Sequence, residues 1–500
     1  MRLRTALAAG IVVAFALCVY KFWPSDSRTH GKAVPKALKT YHSSGTDDGN
    51  RYLRMMENVP DNALKDLFVV LADDDGDLDA FLDAAQAAEL DVRKPVRELG
   101  IALVCVSDEA TRKKLVECLP DRASLEYDYV AVSPDIADAH YFSGAEALDT
   151  SVSTATGCPD DPSWGRGVSF ALLDMKLMAH PSLALKSVIQ FDDSELQNKS
   201  AWHATAMASI VGGSAENLSG IARGAKILNF VVIGGDVFGD SYDIAKAIAD
   251  AVLGGASVIC PQSATEGDSR AIALAVHFAK DKNALVVAPS GCSGKKLYPA
   301  DTDDVFSVGA IDGAGNIVGN VEEVSDIYAP GVGVPVAGGG GNIVPASGCG
   351  VAATIVAGAI SGLIYENPGM STYTAAELLR EYADRSGLYA ESEEVCVIDV
   401  DRVRNRTVQG LRDIAVTGVD VQPNATGGRS VRVAVRNRGT ATTGFSLEVT
   451  DGVKAFRFAN QGLSANQFQI FSMDFPPSDG EISASVRTMG EDDRPDNNVW

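Results

Sequence analysis

A parallel α/β core between two smaller units is the fold class that the sequence predicts, and three observations predict it. Strands apolar on both faces alternate with helices from about residue 158 to 405, as in Ala284-Leu-Val-Val-Ala288, which implies a parallel sheet with helices on both faces. Before them, residues 66–132 read strand, helix, strand, strand, helix, strand, a small α+β unit. From Leu411 onward the pattern changes to short alternating strands with turns, an all-β sandwich. Bulk properties agree. A chain of 500 residues suggests about three domains, and 46% apolar and 22% charged residues with 48 glycines describe a folded protein rich in turns. The net charge of −23 argues against a nucleic-acid partner, which needs a clustered basic face.

The elements follow in chain order. Arg2 and Arg4 precede an apolar run from Ala6 to Tyr20, and Lys21, Phe22, Trp23 and Pro24 follow it. The positive end of such a segment stays in the cytoplasm, and the bulky flank offers no small-x-small cleavage site. Residues 1–23 are expected to be an uncleaved single-pass membrane anchor that leaves the bulk of the chain extracytoplasmic; secretion after signal cleavage is the alternative. Bulky Leu17 disfavours lipidation at Cys18. Residues 24–62 read as a polar linker with a short helix near Tyr52–Glu57.

In the small unit, residues 63–133, strands are expected at Leu67–Leu71, Ile101–Val106 and Leu125–Val132, and helices at Leu78–Ala88 and Glu109–Cys118. Ser107 is expected to open the second helix, with Asp108 and Glu109 favourable in its first turn. The acidic stretch Asp73–Asp77 lacks the glutamate that closes a calcium loop, so it reads as a turn and a helix start. Residues 134–157 connect to the core, residues 158–405. The sandwich, residues 406–500, has strands expected at Ser430–Arg436, Phe445–Thr450, Phe468–Phe475 and Glu481–Thr488. Of eight cysteines one, Cys18, lies in the anchor, so at least one of the others stays unpaired or pairs between chains. No C-x-x-C zinc pattern occurs, and no metal or cofactor is implied.

Five segments in order carry a family resemblance: "GVSFALLDMKLMAHPSL", "HATAMASIVGG", "GIARGAKILNFVVIG", "VFSVGAID" and "DIYAPGVGV". Together they resemble the subtilases, the subtilisin-like serine peptidases. The segment "ALVCVSDEATRKKLVECLPDRASLEYDYVAV" resembles the second half of the inhibitor-type propeptide of that family, and "VRVAVRNRGTATTGFSLEVTDG" with "EDDRPDNNVW" resembles adhesion-type β-sandwich modules of bacterial surface enzymes. The resemblance implies a subtilisin-like core, with the catalytic aspartate at Asp174 and the catalytic imidazole at His203.

That chemistry needs a hydroxyl activated by the imidazole, which a buried carboxylate orients. The family's glycine-threonine-serine-methionine-alanine-alanine motif aligns with Gly348-Cys349-Gly350-Val351-Ala352-Ala353, so the serine position is Gly350 and the nucleophile is absent. The family's oxyanion asparagine aligns with Cys292, and a thiol is a weak donor. Ala206 stands for the second histidine of the family motif, and Thr354 for the proline after the serine motif. Asp174 and His203 are thus expected to persist as a vestigial pair. Ser347 and Cys349 are the replacement nucleophiles to weigh, but side chains so placed on a turn diverge from position 350.

Cys292 and Cys349 map to positions facing each other across the family's site. The resemblance leaves two outcomes open, a disulfide or two buried thiols. The family binds peptides by strand addition between two sheet edges, which here are expected at Pro261-Gln262-Ser263-Ala264 and Ala288-Pro289-Ser290-Gly291. Pro289 lacks an N–H and degrades that groove, which the propeptide-like unit is placed to occupy permanently. Gly338–Gly341 reads as an ordinary turn. The expected function is non-catalytic peptide or protein binding at the cell envelope, a pseudoprotease. An active serine-type endopeptidase with a displaced nucleophile and a structural surface adhesin are the alternatives.

Overall fold

The structure, a computed structural model, describes residues 48–133, 142–183, 188–191, 202–319, 325–383, 395–407 and 414–489, without residues 94, 149, 216, 217, 235–237, 425, 426, 438–441, 465, 466 and 479. The expected anchor, residues 1–23, lies outside the described residues.

The first unit runs α1 (Asp48–Glu57), β1 (Ala63–Leu71), α2 (Asp75–Ala87), β2 (Asp91–Val92), β3 (Ile101–Cys105), α3 (Glu109–Cys118) and β4 (Ser124–Val132). Its strands form an antiparallel sheet in the order β4-β1-β3-β2. The two faces of β1 serve different cores because successive side chains alternate. Phe68 and Val70 pack with Leu78, Phe81, Ala85 and Leu115 inside the unit, whereas Val69 and Leu71 belong to the larger core of the next unit. Helix α3 starts differently from expectation. Asp108, not Ser107, is the cap: its Oδ1 accepts from Thr111 N at 2.8 Å, while Thr111 Oγ1 accepts from Asp108 N at 3.2 Å. This reciprocal box satisfies two otherwise orphaned donors, and Ser107 stands one residue too early to reach them. The acidic stretch is the start of α2, capped by Asp74 accepting from Asp77 N at 2.9 Å. Arg122 provides its counter-charge, 3.1 Å from Asp74.

The second unit begins α4 (Val152–Thr156), β5 (Ser169–Asp174), β6 (Val188–Phe191), α5 (His203–Gly212), β7 (Ser214–Ala215), β8 (Leu218–Ser219), β9 (Lys226–Val231) and β10 (Phe238–Asp240). It continues with α6 (Ser241–Leu253), β11 (Val258–Pro261), β12 (Ala264–Thr265), α7 (Arg270–Asp281), β13 (Leu285–Pro289), β14 (Phe306–Ile311) and β15 (Ile327–Pro330). It ends with β16 (Val334–Ala337), β17 (Ile343–Ala346), α8 (Cys349–Glu366), α9 (Thr372–Glu381) and α10 (Val400–Thr407). Seven strands build a parallel sheet in the order β15-β14-β13-β11-β5-β9-β6. Helix α5 packs on α8, and α6 packs on α7. Gly338–Gly341 forms the turn of the β16–β17 hairpin. Among the described residues α8 is the helix long and apolar enough to cross a bilayer, but 83% of it is buried in the protein. It is the core helix of the second unit, and its first turn carries Gly350.

The third unit is a sandwich of two antiparallel three-stranded sheets. One is β18 (Ile414–Pro423), β19 (Arg429–Asn437) and β22 (Phe468–Phe475); the other is β21 (Ala455–Leu463), β20 (Thr443–Thr450) and β23 (Ser483–Thr488). Inward positions two apart, Val431, Val433 and Val435 on one sheet and Phe445, Leu447 and Val449 on the other, fill the core. Phe445 meets Phe471 edge-on at 6.2 Å. Strands β18 and β21 were not anticipated. A register shift between Val416 and Gly418 interrupts the two-residue period of β18, and Gln461-Gly462 dilutes the apolar pattern of β21.

Candidate active site

Asp174 is the last residue of β5, and His203 is the first of α5. The Asp174 carboxylate is fully buried and receives His203 Nδ1 at 2.8 Å on one oxygen and 3.0 Å on the other. Met175 N donates to the same carboxylate at 2.6 Å. Residues 175–178, just after Asp174, are tied down by groups that sequence reasoning missed. Met178 N donates to Thr205 Oγ1 on α5 at 2.8 Å, Asn229 Nδ2 on β9 donates to Met175 O at 3.1 Å, and Leu177 N donates to Gln190 Oε1 at 2.8 Å. A buried asparagine inside the apolar strand "KILNFV" was the available signal. The imidazole is therefore oriented as a general base would be.

Gly350, the expected serine position, is a buried glycine in the first turn of α8. Ser347 Oγ accepts from Gly333 N at 3.0 Å, at the turn before β16. Cys349 points its sulfur at Cys292, with 2.7 Å between the two Sγ atoms, and both side chains are 1% exposed. Thr354 has a structural task. Its Oγ1 donates to Gly350 O at 2.8 Å and accepts from Gln262 Nε2 at 3.1 Å, tying α8 to the end of β11.

The strand-adding edges differ in part from those expected. Gln262 is buried and turns inward to Thr354 and Cys260. Ser263 is buried, and Ala264 begins the short edge strand β12. The facing edge is β10, Phe238–Asp240, and not Ala288–Gly291. Ala288 and Pro289 belong to the parallel sheet, where they pair with Ser307 and Val308 of β14, and Ser290 N donates to Val308 O at 3.0 Å. Gly291 follows in the turn towards Cys292. Pro289 thus removes no donor from a strand-adding edge.

The end of β4 lies between these two edges. Val132 pairs with Phe238 on one side and Ala264 on the other, and Ala131 with Gly239 and Thr265. One mixed-origin sheet therefore runs β10-β4-β1-β3-β2, with β12 also on β4. Two carboxylates two residues apart on β4 anchor the junction. Glu126 accepts from Arg270 N at 2.8 Å, Ala271 N at 3.0 Å and Ser269 Oγ at 2.9 Å, at the start of α7. Asp128 accepts from Ser241 Oγ at 2.9 Å and Tyr242 N at 3.1 Å, at the start of α6. Each meets orphaned donors and the positive end of a helix. Burial raises Glu126 above the ordinary carboxylate range and pushes Asp128 up to about 7. Burial, and then the charge of Asp128, also raises Asp240. The signal for these groups was present as two acids in the otherwise apolar strand "SLEYDYVAV".

The sequence pattern of the subtilase family matches residues 165–420, just over half of the chain. The chain is a member of the subtilase family. Subtilisin BL of Lederbergia lenta is 29% identical over 230 residues, which cover 45% of this chain and 86% of that protein. The cell wall-associated protease of Bacillus subtilis (strain 168) is 30% identical over 288 residues, 54% of this chain and 32% of that protein. Fervidolysin from Fervidobacterium pennivorans, a keratinolytic enzyme related to subtilisin, superposes with a TM-score of 0.57 at 15% identity, over 86% of this chain and 88% of its own. That likeness is one of fold. In this subtilase Asp174 and His203 are hydrogen-bonded, while position 350 has no side chain and position 292 carries a thiol turned towards Cys349.

Proposed function

We propose that this subtilase is a catalytically inactive pseudoprotease that binds peptide or protein segments at the cell envelope. Gly350 carries the reading. A glycine at the head of α8 supplies no oxygen for His203 to activate, and acyl transfer without a nucleophile loses its covalent step. The sulfur at position 292 argues in the same direction, since losing one oxyanion donor costs about 10²–10³ in rate. The hydrogen bond from Gly333 N to Ser347 Oγ speaks against a displaced serine.

Binding by strand addition needs backbone edges, not a triad, and β10 and β12 keep theirs. The propeptide-like unit supplies the strand between them, so a partner peptide exchanges with the end of β4. Location rests on the N-terminal apolar run, read as a single-pass anchor, and on the name of the Bacillus subtilis relative, a cell wall-associated protease.

The test is a fluorophosphonate probe on the purified full chain beside an active subtilisin. The expected result is no labelling and an intact chain without self-cleavage; specific labelling, lost in Ser347→Ala, overturns the proposal. Fractionation of cells making the full chain checks the location, with retention in washed membranes expected.

A further inference from the structure

We infer that Cys292 and Cys349 form a disulfide bond that closes the former reaction centre, a modification site independent of the binding role proposed above. The two residues belong to rigid elements. Cys292 follows the turn after β13, in the parallel sheet, and Cys349 opens the core helix α8. Their Sγ atoms are 2.7 Å apart. Non-bonded heavy atoms settle at about 3.5–4.0 Å, whereas bonded sulfurs lie at about 2.03–2.05 Å. The separation is therefore too short for two thiols in plain contact, and closing it takes a movement of less than about 1 Å.

The surroundings accept this approach. A β-carbon on Gly319, which has φ +98, would fall 2.6 Å from Cys292 Cβ and 2.4 Å from its carbonyl oxygen, so the absence of a side chain at 319 leaves room for residue 292. On the other side, Gly348 N donates to Gly331 O at 2.8 Å, and Gly333 N to Ser347 Oγ, so the approach to Cys349 is held from two points. The bond would enclose strands β14 to β17, residues 57 apart in the chain.

The redox chemistry balances with a small-molecule disulfide such as oxidised glutathione as oxidant. One cysteine thiolate attacks an oxidant sulfur and releases one thiol. The second thiolate then attacks the mixed disulfide, the protein S–S bond forms, and the second thiol leaves. Two protons are lost from the cysteines, and the two electrons end on the oxidant's sulfurs. Both thiols are 1% exposed, so the exchange belongs to folding, before α8 closes over β13, and the finished bond resists reductants until the chain unfolds.

The experiment uses the full chain made in an oxidising compartment, denatured in iodoacetamide without reductant, digested and examined by mass spectrometry. A covalently linked pair of peptides containing Cys292 and Cys349, neither of them alkylated, is expected. Alkylation of both, or linkage of either to another cysteine, overturns the inference. A second measurement needs no variant. Chain refolded from the denatured state with oxidised glutathione is expected to melt about 5–10 °C above chain refolded with reductant; equal midpoints would count against the bond.

Discussion

Asp174 holds His203 Nδ1 at 2.8 Å although position 350, at the head of the helix that packs on α5, is a glycine. Such a pair has a structural reason to persist: the carboxylate is fully buried at the end of β5, and a buried acceptor without its partner is unfavourable. His203→Ala is expected to destabilise the protein by about 1–3 kcal/mol, read as a lower urea midpoint, and to change no hydrolytic rate. Wild-type stability in the variant would show that the pair does not brace the fold.

Restoring the missing atoms tests the chemistry. Gly350→Ser places a hydroxyl at the head of α8, the helix that packs on the one His203 opens, and slow labelling by a fluorophosphonate is expected. Adding Cys292→Asn supplies an amide donor and is expected to raise the labelling rate by about 10²–10³. If the double variant labels no faster than the single one, position 292 is not the oxyanion site.

Docking of the propeptide-like unit should depend on pH. Burial lifts Asp128 to about 7, so the docked chain holds a proton that the undocked carboxyl releases at its ordinary, lower pKa. Glu126 and Asp243 push in the same direction, while the hydrogen bonds from Tyr242 and Ser241 oppose it. Because docking takes up a proton, its contribution to stability is full below the ordinary carboxylate value of 3.8, falls as pH rises from there, and is lost by about 7. The docking constant is expected to fall by up to about tenfold per pH unit in that window. Melting midpoints from pH 5 to 8 read this, and Asp128→Asn is expected to flatten the profile. An equally steep profile in the variant would assign the proton elsewhere.

Gly267 sets how closely the two units approach. A β-carbon there would fall 2.1 Å from the ring of Tyr129 on β4. Gly267→Val is expected to displace β4 from β12 and speed hydrogen exchange in residues 124–132 by about tenfold, with the sandwich unaffected. Unchanged exchange would mean that the ring has another place to go.

Much of this site was legible in the chain because its determinants are local. Asp174 ends an apolar strand, His203 opens an apolar helix, and the run from Gly348 to Ala353 is contiguous, so the resemblance to subtilase segments could locate each of them. The peptide-binding edges could not. Gln262 and Pro289 lie in stretches that look like edges, yet one turns inward and the other sits within the parallel sheet, since neighbouring strands decide which side of a segment is open.

By itself, then, the sequence determined the order of three units and the kind of secondary structure in most segments, both of which follow from residue type and short-range period; its resemblance to the subtilases is what aligned Gly350 with the serine position. Only the tertiary structure decided that Glu126 and Asp128 would cap helices more than a hundred residues away and that β4 would lie between β10 and β12. Those contacts depend on strand order and on how helices cross the sheet, and these are set by the burial of the whole core rather than by any one stretch of chain.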